Sequence, residues 1–226
     1  MSVIIPKTRE EWLQERRNGI GASDAGTIIG VNPWKTNVEL WAEKTGRREP
    51  EDISAKPYVQ YGHQAEQHIR ALFTLDHPEL QVIYESPYKI IRSDAHPFIF
   101  CTPDGELTEC RQAESEGYYN MRKGGLEIKT TEIMNSRQWA EWNGRIPDQY
   151  YAQVCHQMLA AGWEFVWLRA QIKFTTRDGE KRAETRDYKI ERKEIEIDLK
   201  FLLEAERNFW MLVQEGICPP LRLPEI

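Results

Sequence analysis

Two carboxylates and a lysine near the middle of the chain have types and a spacing that could hydrolyse a phosphodiester. Asp104 follows Pro103 at the end of an apolar run, and Glu127 and Lys129 stand two residues apart in GLEIKTT. Side chains at i and i+2 of a strand point to the same face, so Glu127 and Lys129 would stand side by side, with Ile128 on the opposite face. Carboxylate oxygens suit Mg²⁺, which polarises a phosphoryl oxygen and lowers the pKa of a bound water. Asp104 and Glu127 would supply the ligands, and Lys129 would orient or activate the water.

A structural interpretation of the same residues stays open. An Asp-Gly pair most often forms a turn, and an isolated Glu-x-Lys most often forms a surface salt bridge. Two features favour chemistry. The pair Gly124-Gly125, with Leu126 and Ile128, indicates a buried strand, in which unpaired charges are costly. The Pro-Asp and Glu-x-Lys segments also follow each other in the order of a nuclease motif.

The segments around these residues predict one domain, residues 1–226, with an α/β or α+β fold in which helices flank a central mixed sheet. Capping residues, apolar periodicity and terminal prolines and glycines predict helices over 8–17, 36–46, 57–75, 147–162 and 193–214. The inner face of the third helix is expected to contain Ala65, Ile69, Leu72 and Phe73. Strands are expected over 80–93, 98–107 and 125–131, with a polar loop over 111–123 and a hairpin over 164–191 whose tip is Asp178-Gly179.

Composition narrows the class of protein. No run of about 18 apolar residues could span a membrane, and the polar N-terminal residues do not form the apolar core of a signal peptide, so a cytoplasmic location is expected. The four cysteines form no CxxC pair, which favours free buried thiols over zinc or iron–sulfur ligation. The net charge of -6 is unusual for a protein that binds DNA, although charges of one sign can be concentrated locally.

Five segments in order resemble the YqaJ-type phage recombination exonucleases, the family of lambda exonuclease within the PD-(D/E)XK nuclease superfamily. Between about Trp12 and Trp167 they read RRNGIGASDAGTIIGVNPWKT, LWAEKTG, YGHQAEQ, CTPDG with GLEIKTT, and YYAQVCHQM. The resemblance implies a restriction-endonuclease-like core. It also implies a 5′-to-3′ exonuclease that uses Mg²⁺, with Mn²⁺ as an alternative. Such an enzyme digests linear double-stranded DNA to mononucleotides and leaves 3′ single strands for recombination by strand annealing.

The resemblance extends the catalytic set beyond Asp104, Glu127 and Lys129. It adds Glu66, which would lie beside the metal, and Gln153, which would lie near the attacking water. The metal ligands would then be Asp104, Glu127, Ile128 and Glu66. An alternative is that Glu66 is a helix-surface charge paired with Arg70. One turn after Gln153, Gln157 could line the same cleft, whereas His156 is expected to be a hydrogen-bonded, partly buried histidine and not a metal ligand.

The resemblance also implies a pocket for the terminal 5′-phosphate of DNA. Arg17, Ser23 and Thr102 would form it, with Lys35 as a further candidate, and Thr102 stands where the family often has serine. The planar fork of arginine suits phosphate, and Ser23 near a helix N-terminus adds donors. An alternative is that Arg17 ends the first helix and pairs with Glu11 or Asp24. Two aromatic residues of the same region, Trp34 and Trp41, are expected in the core.

The implied partners are double-stranded DNA ends, a single-strand annealing protein and further copies of the chain in a homotrimeric ring around DNA. The source would be a phage or prophage acting in the cytoplasm of a bacterial host. Two other functions stay open. A structure-specific or restriction-like endonuclease would use the same centre but would cut closed circles. A non-catalytic DNA-end-binding protein would have lost a catalytic residue, yet all five are present.

Overall fold

The computed structural model of the chain describes residues 1–112 and 119–223, and in these ranges it contains seven α-helices and nine β-strands. The helices are α1 (Arg9–Arg17), α2 (Ala25–Ile29), α3 (Asn37–Lys44), α4 (Pro57–Asp76), α5 (Ser136–Trp142), α6 (Asp148–Ala161) and α7 (Glu196–Glu215). The strands are β1 (Ser2–Ile4), β2 (Ile20–Gly21), β3 (Leu80–Ile83), β4 (Ile90–Arg92), β5 (Ile99–Cys101), β6 (Gly105–Gln112), β7 (Tyr119–Ile133), β8 (Phe165–Thr175) and β9 (Lys181–Glu191). Two short 3₁₀ turns cover Ala22–Asp24 and Arg192–Glu194.

The larger sheet has five strands in the order β3-β6-β7-β8-β9. Only β7 and β8 run parallel, and the other neighbours are antiparallel, so the expected mixed sheet flanked by helices is confirmed. Apolar side chains of α6 and α7 pack on one face of this sheet, around Met158, Leu168 and Leu202. Residues of α4 cover the other face, where Ile69 and Phe73 pack near Ile128. The two faces of β7 therefore meet different helices.

A second, four-stranded sheet in the order β1-β4-β5-β2 was not predicted. It divides the predicted strand or hairpin 80–93, because β3 joins the larger sheet and β4 joins the smaller one. Pro87 interrupts the segment and has no N–H for a strand ladder. Ile90 and Ile91 are both fully buried, which a strand with one solvent-facing side does not allow. The segment is therefore a broken strand whose two halves belong to different sheets.

The predicted polar loop 111–123 is wrong at both ends. β6 continues to Gln112 and β7 begins at Tyr119, while residues 113–118 lie outside the described part of the chain. Polar residues hold this pairing together: Arg122 is opposite Glu109 and donates to it at 2.9 Å, and Lys123 is opposite Thr108 and donates to it at 2.9 Å. Cross-strand pairs of this kind stabilise a strand that lacks apolar alternation.

Local signals at helix and hairpin ends were more dependable. Thr8 caps α1 by accepting from the backbone N–H of Glu11, and Thr36 with Glu39 forms the predicted capping box of α3. Gly162 ends α6 with φ of +69°, a conformation that favours glycine. The hairpin β8–β9 forms as predicted around Asp178-Gly179.

Some predicted core positions are wrong. Trp34 is 71% exposed, whereas Trp41 is buried, and Leu72 on α4 is 54% exposed. All four cysteines are free thiols, but only Cys101 and Cys155 are buried, and Cys110 and Cys218 are exposed. Among the described residues, none of the helices has the length and apolar character that crossing a membrane requires.

Candidate active site

The end of β6 places Asp104 against β7. β6 begins at Gly105 opposite Leu126, so β7 has no strand partner on this side beyond Leu126. The next main-chain donor, the N–H of Ile128, is satisfied by Asp104 Oδ2 at 2.8 Å. The carbonyl of Asp104 accepts from Arg70 Nε at 2.6 Å. Asp104 is thus fixed on both sides by α4 and β7.

β7 presents Glu127 and Lys129 on one face, as their spacing predicts. Lys129 Nζ lies 2.5 Å from Glu127 Oε1 and 5.0 Å from the centre of the Tyr150 ring. Glu127 is only 2% exposed, so the surface salt bridge left open by the sequence is wrong. The middle of β7 is tightly packed just before Glu127, because a Cβ on Gly125 would meet the Trp163 ring at 2.0 Å.

Two glutamines of α6 hold both carboxylate oxygens of Glu127. Gln153 Nε2 donates to Oε1 at 2.7 Å, and Gln157 Nε2 donates to Oε2. Gln157 is fully buried, and its own Oε1 has no hydrogen-bond partner among the described residues. Sequence reasoning considered Gln157 only as a residue that lines the cleft. The signal for its role was the four-residue spacing from Gln153, which puts both amides on one helix face.

Glu66 reaches the same region from α4. Its carboxylate pairs with Arg70 one turn later, as the alternative interpretation expected, and the Arg70 guanidinium lies 3.5 Å from the centre of the Tyr84 ring. The pairing does not remove Glu66 from the site, because Glu66 also acts electrostatically on Asp104 and Glu127. We call Glu66, Asp104, Glu127 and Lys129 the carboxylate cluster.

Burial and mutual repulsion perturb the acids of the carboxylate cluster. Burial, followed by the charges of Glu127 and Glu66, raises the pKa of Asp104 well above its usual value. Burial also raises the pKa of Glu66, although Arg70 opposes the shift. For Lys129, burial alone would lower the pKa, but Glu127, Tyr150 and Asp104 outweigh it, and the pKa is raised. The cluster therefore contains more acidic than basic groups in a poorly solvated place.

The donor chemistry of the carboxylate cluster fits a hard divalent cation. Three carboxylates can supply oxygen ligands, and Ile128 can contribute only its main-chain carbonyl. The raised pKa values of Asp104 and Glu66 reflect a concentration of negative charge that a cation would compensate. Within residues 1–112 and 119–223, no three His, Cys, Asp or Glu side chains already form a metal-ligand set. Lys129 and Arg70 instead provide the positive charge that contacts Glu127 and Glu66.

A second polar site lies beside the first and is built around Arg16. Arg16 Nη2 donates to Ser23 Oγ at 3.0 Å, and its guanidinium carbon lies 4.7 Å from the centre of the Trp12 ring. Trp12 Nε1 donates to Thr102 Oγ1 at 3.1 Å. We call Trp12, Arg16, Ser23 and Thr102 the Arg16 pocket. Since Thr102 and Ser23 each accept one hydrogen bond here, each hydroxyl keeps its own O–H to donate.

The structure brings Ser23 and Thr102 together but does not place Arg17 with them. Arg17 is the last residue of α1, as the alternative expected, but it is exposed and pairs with Glu49 at 3.2 Å and not with Glu11 or Asp24. Lys35 pairs with Glu43 at 2.8 Å, and no contact joins it to the Arg16 pocket in the described part of the chain. Consecutive helical residues point about 100° apart, so Arg16 and Arg17 face different directions.

The Arg16 pocket is supported from behind by a buried ion pair. Asp24 accepts from the backbone N–H of Gly21 at 3.0 Å and pairs with Lys44 at 2.8 Å. Burial would raise the pKa of Asp24, but Lys44 and Arg16 lower it to about 2. Lys44 also donates to the carbonyl of Arg16 at 3.0 Å. These contacts fix the end of α1 and the turn that carries Ser23.

The fold is similar to that of a solved alkaline exonuclease. It superposes on the alkaline exonuclease LHK-Exo of Laribacter hongkongensis with a TM-score of 0.54 at 21% identity, covering 92% of this chain and 97% of that one. The complex of LHK-Exo with dAMP gives a TM-score of 0.53 at 19% identity. Residues 11–164 match the YqaJ-like viral recombinase domain, and the chain belongs to this family.

A curated relative supports the same membership. The protein YqaJ of Bacillus subtilis (strain 168) is 32% identical over 208 residues, which cover 90% of this chain. This chain spans only 56% of the length of YqaJ. The alignment with YqaJ therefore covers nearly all of this chain but only about half of that relative.

Proposed function

We propose that the chain hydrolyses DNA phosphodiesters with Mg²⁺, or alternatively Mn²⁺, and digests linear double-stranded DNA from its 5′ ends to mononucleotides. The observation that carries this proposal is the carboxylate cluster, in which the buried Glu127 contacts Lys129 on a strand whose edge is capped by Asp104. We also propose that residues 1–226 form a single nuclease domain.

Each member of the carboxylate cluster has a separate role in the proposed reaction. Asp104, Glu127, Glu66 and the carbonyl of Ile128 would hold the cation, which when bound polarises a phosphoryl oxygen and activates water. Lys129 donates toward the attacking water and the developing phosphate charge. Gln153 orients that water, while Gln157 fixes the second oxygen of Glu127.

The Arg16 pocket supports a 5′-to-3′ direction. Arg16 supplies a charged fork for phosphate, and Ser23 and Thr102 supply hydroxyl donors. Thr102 precedes Asp104 by two residues, so a terminal phosphate held by the pocket would lie next to the carboxylate cluster. The distance between the two sites would then set which bond is cut.

The relatives support this function at a coarser level. LHK-Exo is an alkaline exonuclease, and its complex with dAMP contains a mononucleotide of the kind that exonuclease digestion releases. Membership of a viral recombinase family favours a role in phage recombination. On this ground we propose a single-strand annealing protein as partner, a homotrimeric ring around DNA, and action in the cytoplasm of a bacterial host.

Digestion of linear, nicked and covalently closed circular duplex DNA with Mg²⁺ tests the proposal. We expect the linear substrate to be converted to mononucleotides while closed circles persist. E127Q, prepared identically, controls for contaminating nucleases and should leave every substrate intact. Cleavage of closed circles by the wild type would instead identify an endonuclease that uses the same cluster. No cleavage of any substrate, with DNA ends still bound, would identify a non-catalytic end-binding protein.

A further inference from the structure

A fully buried histidine and glutamate join three elements behind the carboxylate cluster. His156 lies on α6 and Glu206 on α7, and both are 0% exposed. His156 Nδ1 lies 2.6 Å from Glu206 Oε1, and Nε2 lies 2.9 Å from the carbonyl oxygen of Phe100 on β5. The hydrogen-bonded histidine expected from the sequence is thus confirmed, although it is completely buried.

The two contacts determine where protons must be. A main-chain carbonyl only accepts, so Nε2 must carry a proton. The 2.6 Å contact of Nδ1 with Glu206 Oε1 then needs one further proton between these two atoms, and an ionised Glu206, which only accepts, requires that proton on the ring. Without that proton the pair would be a buried negative charge, and Glu206 Oε2 has no hydrogen-bond partner in the described ranges.

The groups around His156 favour the charged ring. Burial alone would lower the pKa of His156, but Glu206 and the Phe100 carbonyl outweigh it, and the pKa is raised. Asp24, which faces the ring from the turn before α2 and is paired with Lys44, acts in the same direction. Burial raises the pKa of Cys155 on α6 to about 12, so this neighbour stays a neutral thiol.

We propose that His156 is a positioning residue, held as an imidazolium that donates from both ring nitrogens and locks β5 to α6. Phe100 comes two residues before Thr102 and four before Asp104, and α6 carries Gln153 and Gln157. The contacts of His156 therefore align the end of β5 with α6, whose two glutamines hold the Glu127 carboxylate. In its effect on hydrolysis this inference rests on the proposed function. Loss of the second proton breaks the contact between His156 Nδ1 and Glu206. Alkaline pH therefore lowers the hydrolysis rate because β5 and α6 lose their alignment.

The variant E206Q removes the need for the second ring proton but keeps both hydrogen bonds of His156. The introduced amide can donate to Nδ1 of a neutral ring, while Nε2 still donates to Phe100. A raised pKa in the folded state gives stability that is fully present below the unfolded value of about 6.5 and is lost as pH rises through the folded value. As pH rises from about 6.5 through the folded pKa of His156, the melting temperature of the wild type should therefore fall more than that of E206Q. E204Q, an exposed change on the same helix, should track the wild type.

The hydrolysis rate then tests the positioning role. With saturating linear DNA, kcat of the wild type and E204Q should decline on the alkaline side, and kcat of E206Q should lack that decline. Parallel melting curves for all three proteins would overturn the imidazolium. Different melting curves with identical pH profiles of kcat would overturn the positioning role.

A measurement on the wild type covers the case in which E206Q does not fold. Nuclear magnetic resonance of ¹⁵N-labelled imidazoles at about pH 8 should show one histidine with both ring nitrogens protonated, although a free ring is neutral there. Five neutral rings would overturn the proposal. If the wild type fails to hydrolyse DNA, the proposed function fails, but the melting and resonance experiments still decide whether the buried proton exists.

Discussion

The carboxylate cluster and the Arg16 pocket meet on one connection, at Asp104 and Thr102, but they are built in different ways. The cluster takes Glu127 and Lys129 from two positions of one strand, where spacing alone fixes the face. The pocket joins Trp12 to Thr102 across 90 positions of sequence. The spacing correctly predicted that Glu127 and Lys129 lie side by side, whereas at the second site Arg16, and not Arg17, contacts Ser23.

The difference shows which kind of site can be read from spacing. In a strand, the side chains at i and i+2 always lie on the same face of the sheet. The last turn of a helix has no equivalent rule, because Arg16 and Arg17 point about 100° apart and either could face the protein. Arg16 faces the protein because it contacts the Trp12 ring and the Ser23 hydroxyl, and the contact with Ser23 forms only when the chain folds.

The largest effect is expected from E127Q, which keeps the shape of the side chain and removes its charge. Loss of a ligand that holds the cation forfeits several kcal/mol of charge stabilisation, about a thousandfold or more in rate. Binding of DNA should be unchanged or tighter, since a negative charge facing phosphate is removed. Initial rates on linear duplex and filter binding measure the two effects. A rate within about tenfold of the wild type would exclude Glu127 from the chemistry.

The next effect is expected from K129A. Losing a donor to the attacking water should lower kcat about a hundredfold to a thousandfold and leave affinity for Mg²⁺ unchanged. Titration calorimetry with Mg²⁺ alone checks the second half of the prediction. If metal affinity falls together with kcat, Lys129 is a structural part of the cation site.

A smaller effect is expected from Q157L, which has similar volume but no donor for Glu127 Oε2. Loss of a group that orients a metal ligand typically costs about 10–100-fold in metal affinity or activity. Q171L is the matched control, because Gln171 also uses its amide group, as an acceptor from the Tyr61 hydroxyl at 2.6 Å. Mg²⁺ calorimetry and initial rates should separate the variants, and equal losses would assign Gln157 to packing alone.

The smallest effect is expected from W12F, which keeps a ring beneath Arg16 but removes the indole N–H that orients Thr102. One net hydrogen bond is worth about 1 kcal/mol, so initiation on 5′-phosphorylated ends should slow about fivefold. Ends that carry a 5′-hydroxyl should be digested at the wild-type rate. An equal slowing of both substrates would mean that Trp12 supports the fold and not the pocket.

The sequence predicted most of the larger sheet and five of the seven described helices because their signals are local, such as the capping residues Thr8 of α1 and Thr36 of α3 and the turn at Asp178-Gly179. It did not predict the smaller sheet, because that sheet pairs short strands from distant segments. It placed Trp34 in the core because hydrophobicity alone does not report which side of a loop faces solvent. It understated Gln157 because a buried amide has no sequence signature apart from its spacing to Gln153.

The central claim is that a terminal phosphate held by Arg16 fixes the bond cut at the carboxylate cluster. Initial rates on 5′-phosphate and 5′-hydroxyl duplexes, measured for the wild type, R16A and R17A, test it most directly. A charge-assisted contact is worth about 1.5–3 kcal/mol, so R16A should lose about tenfold to a hundredfold on phosphorylated ends and little on hydroxyl ends. R17A should keep the wild-type preference. A preference that survives in R16A, or disappears in R17A instead, would contradict the account.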